Sequence, residues 1–337
     1  MHKKILSVLL ATTIFASAAG CASGAGASSS GTASASGSAS SSASEVKWPK
    51  NVQIIVPASA GGDSDYNARL FANKLSKKIG SNFVVSNVNG NGGATGTRQV
   101  KDAAPDGSSI LFYHSAFIVN QLSGTTDYGF DSYKFACIAA LNPGNVVTVS
   151  SKLGVKSLPD LFSYAKAHPG KLKMAAQTGA TSYAVAVLLK QAGLDINIVD
   201  AGSASDRLAA LVGGHVDIIL AGYGSVKDYV TKGDLVPLAM DGGNDLTVNG
   251  TTIKAITNQG YDIKLPFYYF FAFPKGTDAN MVQAFDDAVE DIVKNDKDYQ
   301  DSISKTYFQT PTFYNAKDGL AKFDEVYNIL KGVNFKG

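Results

Sequence analysis

Gln53-Ile54-Ile55-Val56-Pro57-Ala58-Ser59-Ala60-Gly61-Gly62-Asp63-Ser64-Asp65 decides how this chain is read. The first residues form an apolar, β-branched run that predicts a strand, and the small residues and glycines after it break the run. Asp63-Ser64-Asp65 then offers capping side chains to a helix in which Ala68, Phe71, Ala72, Leu75 and Ile79 recur at helical spacing. The pattern repeats at once. Phe83-Val84-Val85 reads as a second strand, and Asn87-Val88-Asn89-Gly90-Asn91-Gly92-Gly93-Ala94-Thr95-Gly96 leads into a second helix. Two successive strand-to-helix junctions thus carry bare backbone at helix N-termini. Unpaired N–H groups and the positive end of the helix dipole favour an anion there.

Upstream of this stretch the sequence reads as processing signal and tether. Lys3-Lys4 and the apolar run from Ile5 to Ala16 make a signal too short to span a bilayer. Ala18-Ala19-Gly20-Cys21 has the form of a bacterial lipobox, so residues 1–21 are expected to be a lipoprotein signal peptide with Cys21 lipidated. The plainer alternative is an ordinary secretory signal with a chance cysteine. Residues 22–46, almost only Ser, Ala and Gly as far as Ser44, cannot bury enough apolar surface to offset their ordering entropy, which predicts a flexible tether. No later run is apolar and charge-free enough for a transmembrane helix, so the expectation is an exported domain anchored to the cell membrane by its lipid.

Composition narrows the function classes. The 337 residues are 45% hydrophobic and 17% charged, as in an ordinary globular protein, and suit two lobes. A net charge of +2 with Lys and Asp interspersed leaves no nucleic-acid footprint. With Cys21 acylated, Cys137 stands alone in an apolar strand-like run, which predicts a packed core thiol and no disulfide.

Downstream, strands are predicted at Ser109 to Tyr113, Phe135 to Leu141, Val146 to Ser150, Lys173 to Ala176, Ile196 to Val199, Asp217 to Leu220 and Val236 to Ala239. Helices lie between them: one capped by Ser157 and ended by Pro169-Gly170, one reaching Gln191, one ending at Gly213-Gly214 and one opened by Ala221 to Ser225. Strands alternating with helices predict α/β architecture with parallel sheets. The tail adds an aromatic strand from Leu265 to Phe273, a helix from Met281 to Val293 and a final helix from Ala316 to Leu330.

Ala60-Gly61-Gly62-Asp63-Ser64-Asp65-Tyr66-Asn67-Ala68-Arg69 resembles the AGGxxDxxAR segment of the tripartite tricarboxylate transporter receptors, the Bug-type solute-binding proteins. Asn87 to Gly96 is similar to their NxxGAGGxxG loop, with Asn91 in place of the usual alanine, and Ala104-Pro105-Asp106-Gly107 continues the match. Val155-Lys156-Ser157-Leu158, Ala167 to Leu172 and Leu211 to Asp217 resemble the family as well. The resemblance implies a two-lobed, periplasmic-binding-protein-like α/β fold of the type II, Venus-flytrap kind, with a ligand cleft between the lobes. Lobe one would take residues 47–148, lobe two 149–264, and residues 265–337 would return to lobe one. It further implies an extracytoplasmic receptor, monomeric and without cofactor or metal, that captures a small carboxylate or amino-acid-like solute. The receptor would pass it to membrane permease subunits, one large and one small.

On that resemblance one solute carboxylate lies against Ala60, Gly61, Gly62 and Asp65 of the first glycine loop and Gly92, Gly93 and Ala94 of the second. Thr178, Ser182, Ser203 and Asp217 of lobe two meet the rest of the solute. His114, at the carboxyl end of a strand, is read either as a structural histidine or as a ligand contact, and Thr178 to Ser182 and Ser203 to Asp206 either as plain N-caps or as cleft residues. Asp63 is an extra acid in the loop. It either turns away to cap the first helix or faces a solute that carries a cation.

Enzyme readings fare poorly. Gly62-Asp63-Ser64 mimics a hydrolase nucleophile block, but no Asp-x-x-His follows and the last histidine is His215. Gly90 to Gly96 mimics a dinucleotide fingerprint with its third glycine one place late, and it follows the second strand rather than the first. Two rivals stay open on sequence alone: a receptor for another transporter class, such as an ABC importer, and an exported α/β enzyme.

Overall fold

The computed structural model describes residues 46–335. The signal segment with Cys21, residues 22–45 of the tether and residues 336–337 lie outside the described residues. In chain order the elements are β1 (Asn51–Val56), α1 (Asp63–Ile79), β2 (Asn82–Asn87), α2 (Ala94–Lys101), β3 (Ser109–His114), α3 (Ala116–Leu122), β4 (Tyr133–Asn142) and β5 (Asn145–Ser150). Then come α4 (Leu158–Ala167), β6 (Lys173–Ala176), α5 (Thr181–Gln191), β7 (Asn197–Asp200), α6 (Ala204–Val212), β8 (Ile218–Gly222), α7 (Tyr223–Lys232) and β9 (Leu235–Met240). The last are β10 (Leu246–Val248), β11 (Thr251–Ile253), β12 (Phe267–Pro274), α8 (Ala279–Asn295), α9 (Lys297–Tyr307), β13 (Thr310–Tyr314) and α10 (Ala316–Leu330).

These strands build two sheets, ordered β13-β4-β12-β3-β1-β2 and β7-β6-β8-β5-β9, with β10 and β11 as a separate hairpin. The runs β2-β1-β3 and β7-β6-β8 are parallel. The expectation of wholly parallel sheets is corrected, because β12 is antiparallel to β3 and β4, and β5 is antiparallel to β8 and β9. The cause lies in the path of the chain. Parallel neighbours need a crossover on their own sheet, whereas β5 and β12 each arrive from the other lobe. They enter at the edge facing that lobe and run against the strands that end there.

β12 shows how the sequence positions the first sheet. Every residue of Phe267 to Pro274 is buried, as befits a central strand covered on both faces. Its side chains alternate with period two. Phe267, Tyr269, Phe271 and Phe273 join the core under α1 and α8, while Tyr268, Phe270 and Ala272 join the core that holds Phe117, Phe323 and Val326. Cys137 is fully buried in the first of these clusters, and burial pushes its thiol well above its ordinary range.

The chain crosses between the sheets twice, at Asn142–Asn145 and between Met240 and Phe267. The two crossings are tied together. The Asn145 backbone N–H donates to the Asp241 carboxylate at 2.6 Å, its side-chain amide donates to the same group at 3.2 Å, and the Asp241 N–H donates back to the Asn145 carbonyl at 3.0 Å. A Cβ on Gly144 would stand 2.4 Å from the Gly242 nitrogen, so the two strands of this link touch backbone to backbone.

Candidate functional site

A cavity of about 80 Å³ lies between the lobes, at the carboxyl ends of the parallel strands. It is roughly five to eight times the ~10–15 Å³ that one water needs, which sets the scale of a small organic solute. Four helices begin on its wall: α1 at Gly62–Asp63–Ser64, α5 at Ala180–Thr181–Ser182, α6 at Ser203–Ala204–Ser205, and α7 after Gly222. The sequence puts them there because α1, α5 and α6 follow a strand through a short turn rich in small residues and α7 follows β8 directly at Gly222, so their first N–H groups face the sheet edge.

Two charged side chains line the cavity, one from each lobe: Asp63 and Arg207. None of the ion pairs among the described residues includes either of them. Arg207, in the first half of α6, is 94% buried, its residual exposure being 6%. Its Nε and Nη2 donate to the Leu220 carbonyl at 3.1 and 3.0 Å, and its Nη1 donates to the Gly202 carbonyl. Burial pushes its pKa down to about 10, with Asp63, Asp206 and Asp200 working against that shift, so it stays cationic at neutral pH. Three of its five N–H groups are used, which leaves two.

Asp63 is held from behind. Its Oδ2 accepts from the Tyr269 hydroxyl and from Asn142 Nδ2 at 3.1 Å, and its Oδ1 accepts from the Ser64 backbone N–H at 2.8 Å. A one-directional chain of donors feeds Tyr269. The Tyr299 hydroxyl donates to Asn67 Oδ1 at 3.1 Å, Asn67 Nδ2 to Gln309 Oε1 at 2.8 Å, and Gln309 Nε2 to the Tyr269 oxygen at 3.1 Å. Burial, and then the charge of Asp63, raises the Tyr269 phenol well above its ordinary pKa and keeps it a donor. Such aligned bonds polarise one another and fix the carboxylate in place.

His114 contributes a neutral donor. Burial pushes its pKa down to about 3. Its Nδ1 accepts the Ala116 backbone N–H at 3.2 Å, so Nε2 carries the proton. Its ring packs between Tyr113 and Phe267. Among the described residues no acid is bonded to it.

The residues expected from sequence divide. Gly62, His114, Ser182 and Ser203 line the cavity. Gly62 has φ −87° and ψ 179°, extended backbone open to any residue, so its role does not rest on positive φ. Ser182 Oγ accepts the Gln177 N–H at 3.1 Å, and the Ser203 hydroxyl is engaged in a capping box with Asp206, so both also serve their own loops. Gly92 and Thr178 line a neighbouring opening, where the lobes touch: a Cβ on Gly92 would lie 2.3 Å from the Thr178 carbonyl oxygen. Asn120 bridges the same contact, its Nδ2 donating to the carbonyls of Gly92 and Gly179.

The others do not reach the cavity wall. Ala60 and Gly61 are exposed, and the Gly61 N–H is already donated to Asp65 Oδ2 at 2.9 Å. Gly93 and Ala94 are buried beside Tyr113 and Tyr128; a Cβ on Gly93 would meet the Tyr113 oxygen at 2.0 Å. Asp65 points away from the solute side because Arg69, at 2.9 Å, claims it. Against the cost of burial, Arg69, the Gly61 N–H and Asn87 hold its carboxyl below the usual range. Asp217 sits before β8, at the opposite end of the strands, where its carboxylate accepts the Lys173 N–H at 2.8 Å. Nor is Asp63 a side-chain cap: the N-cap of α1 is Gly62, and Asp63 turns into the interior.

Sequence reasoning missed Arg207. One signal was present. Arg207 stands four residues before Leu211, the buried apolar residue of its helix, so helical spacing puts a cation on the core face.

A model of the tripartite tricarboxylate transporter family receptor matches residues 67–325. The chain belongs to that family. It is 27% identical over 284 residues to a Cupriavidus necator protein encoded in the gbd 5′ region, covering 82% of this chain and 84% of that one. The Bordetella pertussis protein BugT is 26% identical over 245 residues, covering 68% and 72%. Among solved structures, MatC from Rhodopseudomonas palustris with bound malate superposes with a TM-score of 0.75 at 21% identity, over 83% of this chain and 97% of that one. The receptor therefore has the two-lobed fold of periplasmic solute-binding proteins, and its family binds solutes rather than transforming them. The family match begins four residues after Asp63, which falls outside it.

Proposed function

We propose that this receptor is lipidated on Cys21, held outside the cytoplasm as a monomer on a flexible tether, and captures a small carboxylate-bearing solute for a tripartite tricarboxylate-type permease with one large and one small membrane subunit. The observation that carries the reading is the cavity itself: α5, α6 and α7 direct their N-termini at it and Arg207, buried and in no ion-pair contact, lines it. Helix N-termini and a guanidinium are what a carboxylate needs when it leaves water. The solute seat would use Gly62, His114, Ser182 and Ser203 together with Arg207, with Gly92 and Thr178 forming the contact that closes the lobes. Malate in MatC supports the carboxylate class. No helix of the described residues is long and apolar enough to cross a membrane, which fits anchoring through the lipid.

A thermal-shift screen tests the solute class. A ligand that binds only the folded state raises the melting temperature in proportion to RT ln(1 + [L]/Kd), about 2.7 kcal/mol at a hundredfold excess over Kd. At least one carboxylate or amino acid should raise it, and silence across the whole panel at millimolar concentration contradicts the reading. For the anchor, Cys21→Ser should release the protein from the membrane fraction; retention there refutes lipidation of Cys21.

A further inference from the structure

The two charged side chains of the cavity are of opposite sign and sit on opposite lobes. Lobe two presents Arg207 and the starts of α5, α6 and α7; lobe one presents Asp63 and the start of α1. We infer that the solute is an α-amino acid with a free ammonium group, its carboxylate on the Arg207 side and its ammonium on Asp63. This rests on the receptor reading above and names the solute class of the same site.

Three features select this class. First, the formal charge of the wall is zero, since Asp63 and Arg207 are its ionised side chains and His114 is neutral. A zwitterion leaves that balance unchanged, whereas a dicarboxylate adds two negative charges. Second, a solute carboxylate placed at ~5 Å from Asp63 would be repelled, and at an effective dielectric near 20 that corresponds to roughly a hundredfold loss of affinity. Third, one acceptor direction of Asp63 is only weakly held. A carboxylate has about four lone-pair directions; Tyr269, Asn142 and the Ser64 N–H fill three, and only the Ser64 hydroxyl, at 3.5 Å, lies near the fourth. That weakly held direction can take a donor hydrogen from a solute, which a primary ammonium offers and a quaternary one lacks.

The one-directional donor chain from Tyr299 to Asp63 belongs to the same design. It orients the carboxylate with no cation in ion-pair contact, which leaves it open to a solute. The seat assigned here is also inverted with respect to the sequence expectation: the carboxylate goes to lobe two, and the glycine loop of lobe one, through Asp63, takes the cation.

The test is calorimetry on the full receptor. The probes are the common L-α-amino acids, their deaminated counterparts (aspartate against succinate, glutamate against glutarate, alanine against propionate) and glycine betaine, with wild type and Asp63→Asn. At least one amino acid should bind wild type, its deaminated counterpart and betaine binding at least about thirtyfold more weakly, the ratio expected for one charge-assisted hydrogen bond. Asp63→Asn should remove most of that preference. Deaminated acids binding as tightly as amino acids, or a preference untouched in Asp63→Asn, overturns the inference while the receptor reading stands. If no amino acid and no carboxylate binds, both fall. Should Asp63→Asn fail to fold, the comparison of probes on wild type decides alone.

Discussion

Arg207 offers the sharpest handle on the site. Replacing it with methionine keeps most of the side-chain volume and removes the charge. On the binding side, the two N–H groups not donated to Gly202 and Leu220 are lost to the solute. Charge-assisted bonds contribute ~1.5–3 kcal/mol each, and with imperfect geometry the pair together should be worth ~2–4 kcal/mol. The affinity loss is then between about thirtyfold and about a thousandfold. On the folding side, the Leu220 and Gly202 carbonyls lose their donors at ~1–3 kcal/mol, partly offset because a buried unpaired cation is itself costly. The melting temperature should fall by ~2–8 °C and unfolding should remain cooperative. Arg207→Lys keeps the charge without the fork and should lie between the two in affinity. The assay is titration calorimetry of both variants against the tightest solute from the thermal-shift screen, with melting curves as a control. A folded Arg207→Met variant that binds like wild type would refute the assignment.

Other outcomes follow from the same geometry. Gly62→Val should fold, because a Cβ there meets nothing nearer than the Ser59 oxygen at 3.9 Å and φ is ordinary, yet it should abolish binding by filling the cavity wall; retained affinity in calorimetry contradicts this. Gly92→Ala meets the Thr178 carbonyl oxygen at 2.3 Å and a φ of 63°, so it should hold the lobes apart and weaken binding at least ~tenfold; small-angle scattering of the liganded protein should show a larger radius than wild type, and an equal radius counts against it. Burial pushes the Asp286 carboxyl up to about 7, with Asp287 and Glu290 adding to the shift against the Cys137 thiol. The native state thus keeps a proton that the unfolded chain releases near pH 4, and stability from this group is full below about pH 4 and lost as pH rises to about 7. Asp286→Asn carries no such loss, so its melting temperature relative to wild type should climb by ~2–8 °C between pH 4 and pH 8; a constant difference across that range would show that Asp286 does not titrate in the fold.

Much of the architecture was legible because it is local. α10 and β6 match their predicted bounds, and α5 ends at Gln191 as predicted, because each is set by its own local pattern. The β10–β11 hairpin went unread although Asn249-Gly250, at φ 50° and 77°, is the strongest short-range hairpin signal. β13 is an edge strand with Pro311 inside it, a composition that argues against a strand when the neighbour β4 is unseen. The directions of β5 and β12 follow from the passage between lobes, a long-range fact with no local periodicity.

The site was legible at the level of loops and not of side chains. Gly62, Ser182 and Ser203 were found through the family resemblance, and they stand on strand-to-helix turns, which mark the ligand edge of α/β sheets. Which of two neighbouring acids faces the cavity was not, since Asp63 and Asp65 differ only in what lies behind them. Arg69, four residues on along α1, claims Asp65, while Tyr269 and Asn142, distant in sequence, claim Asp63. Asp217 was misplaced for a simpler reason: it stands before its strand, at the end of the parallel strands opposite the cavity.

The central claim is that one small solute is held between the lobes, bridging Asp63 and Arg207. The most direct measurement is a crystal structure of the receptor with the tightest solute of the screen. The account predicts solute density in the cavity, with a carboxylate in hydrogen-bond contact with the Arg207 guanidinium and a nitrogen in contact with Asp63. Solute density elsewhere, or a carboxylate turned toward Asp63 with Arg207 untouched, would contradict it.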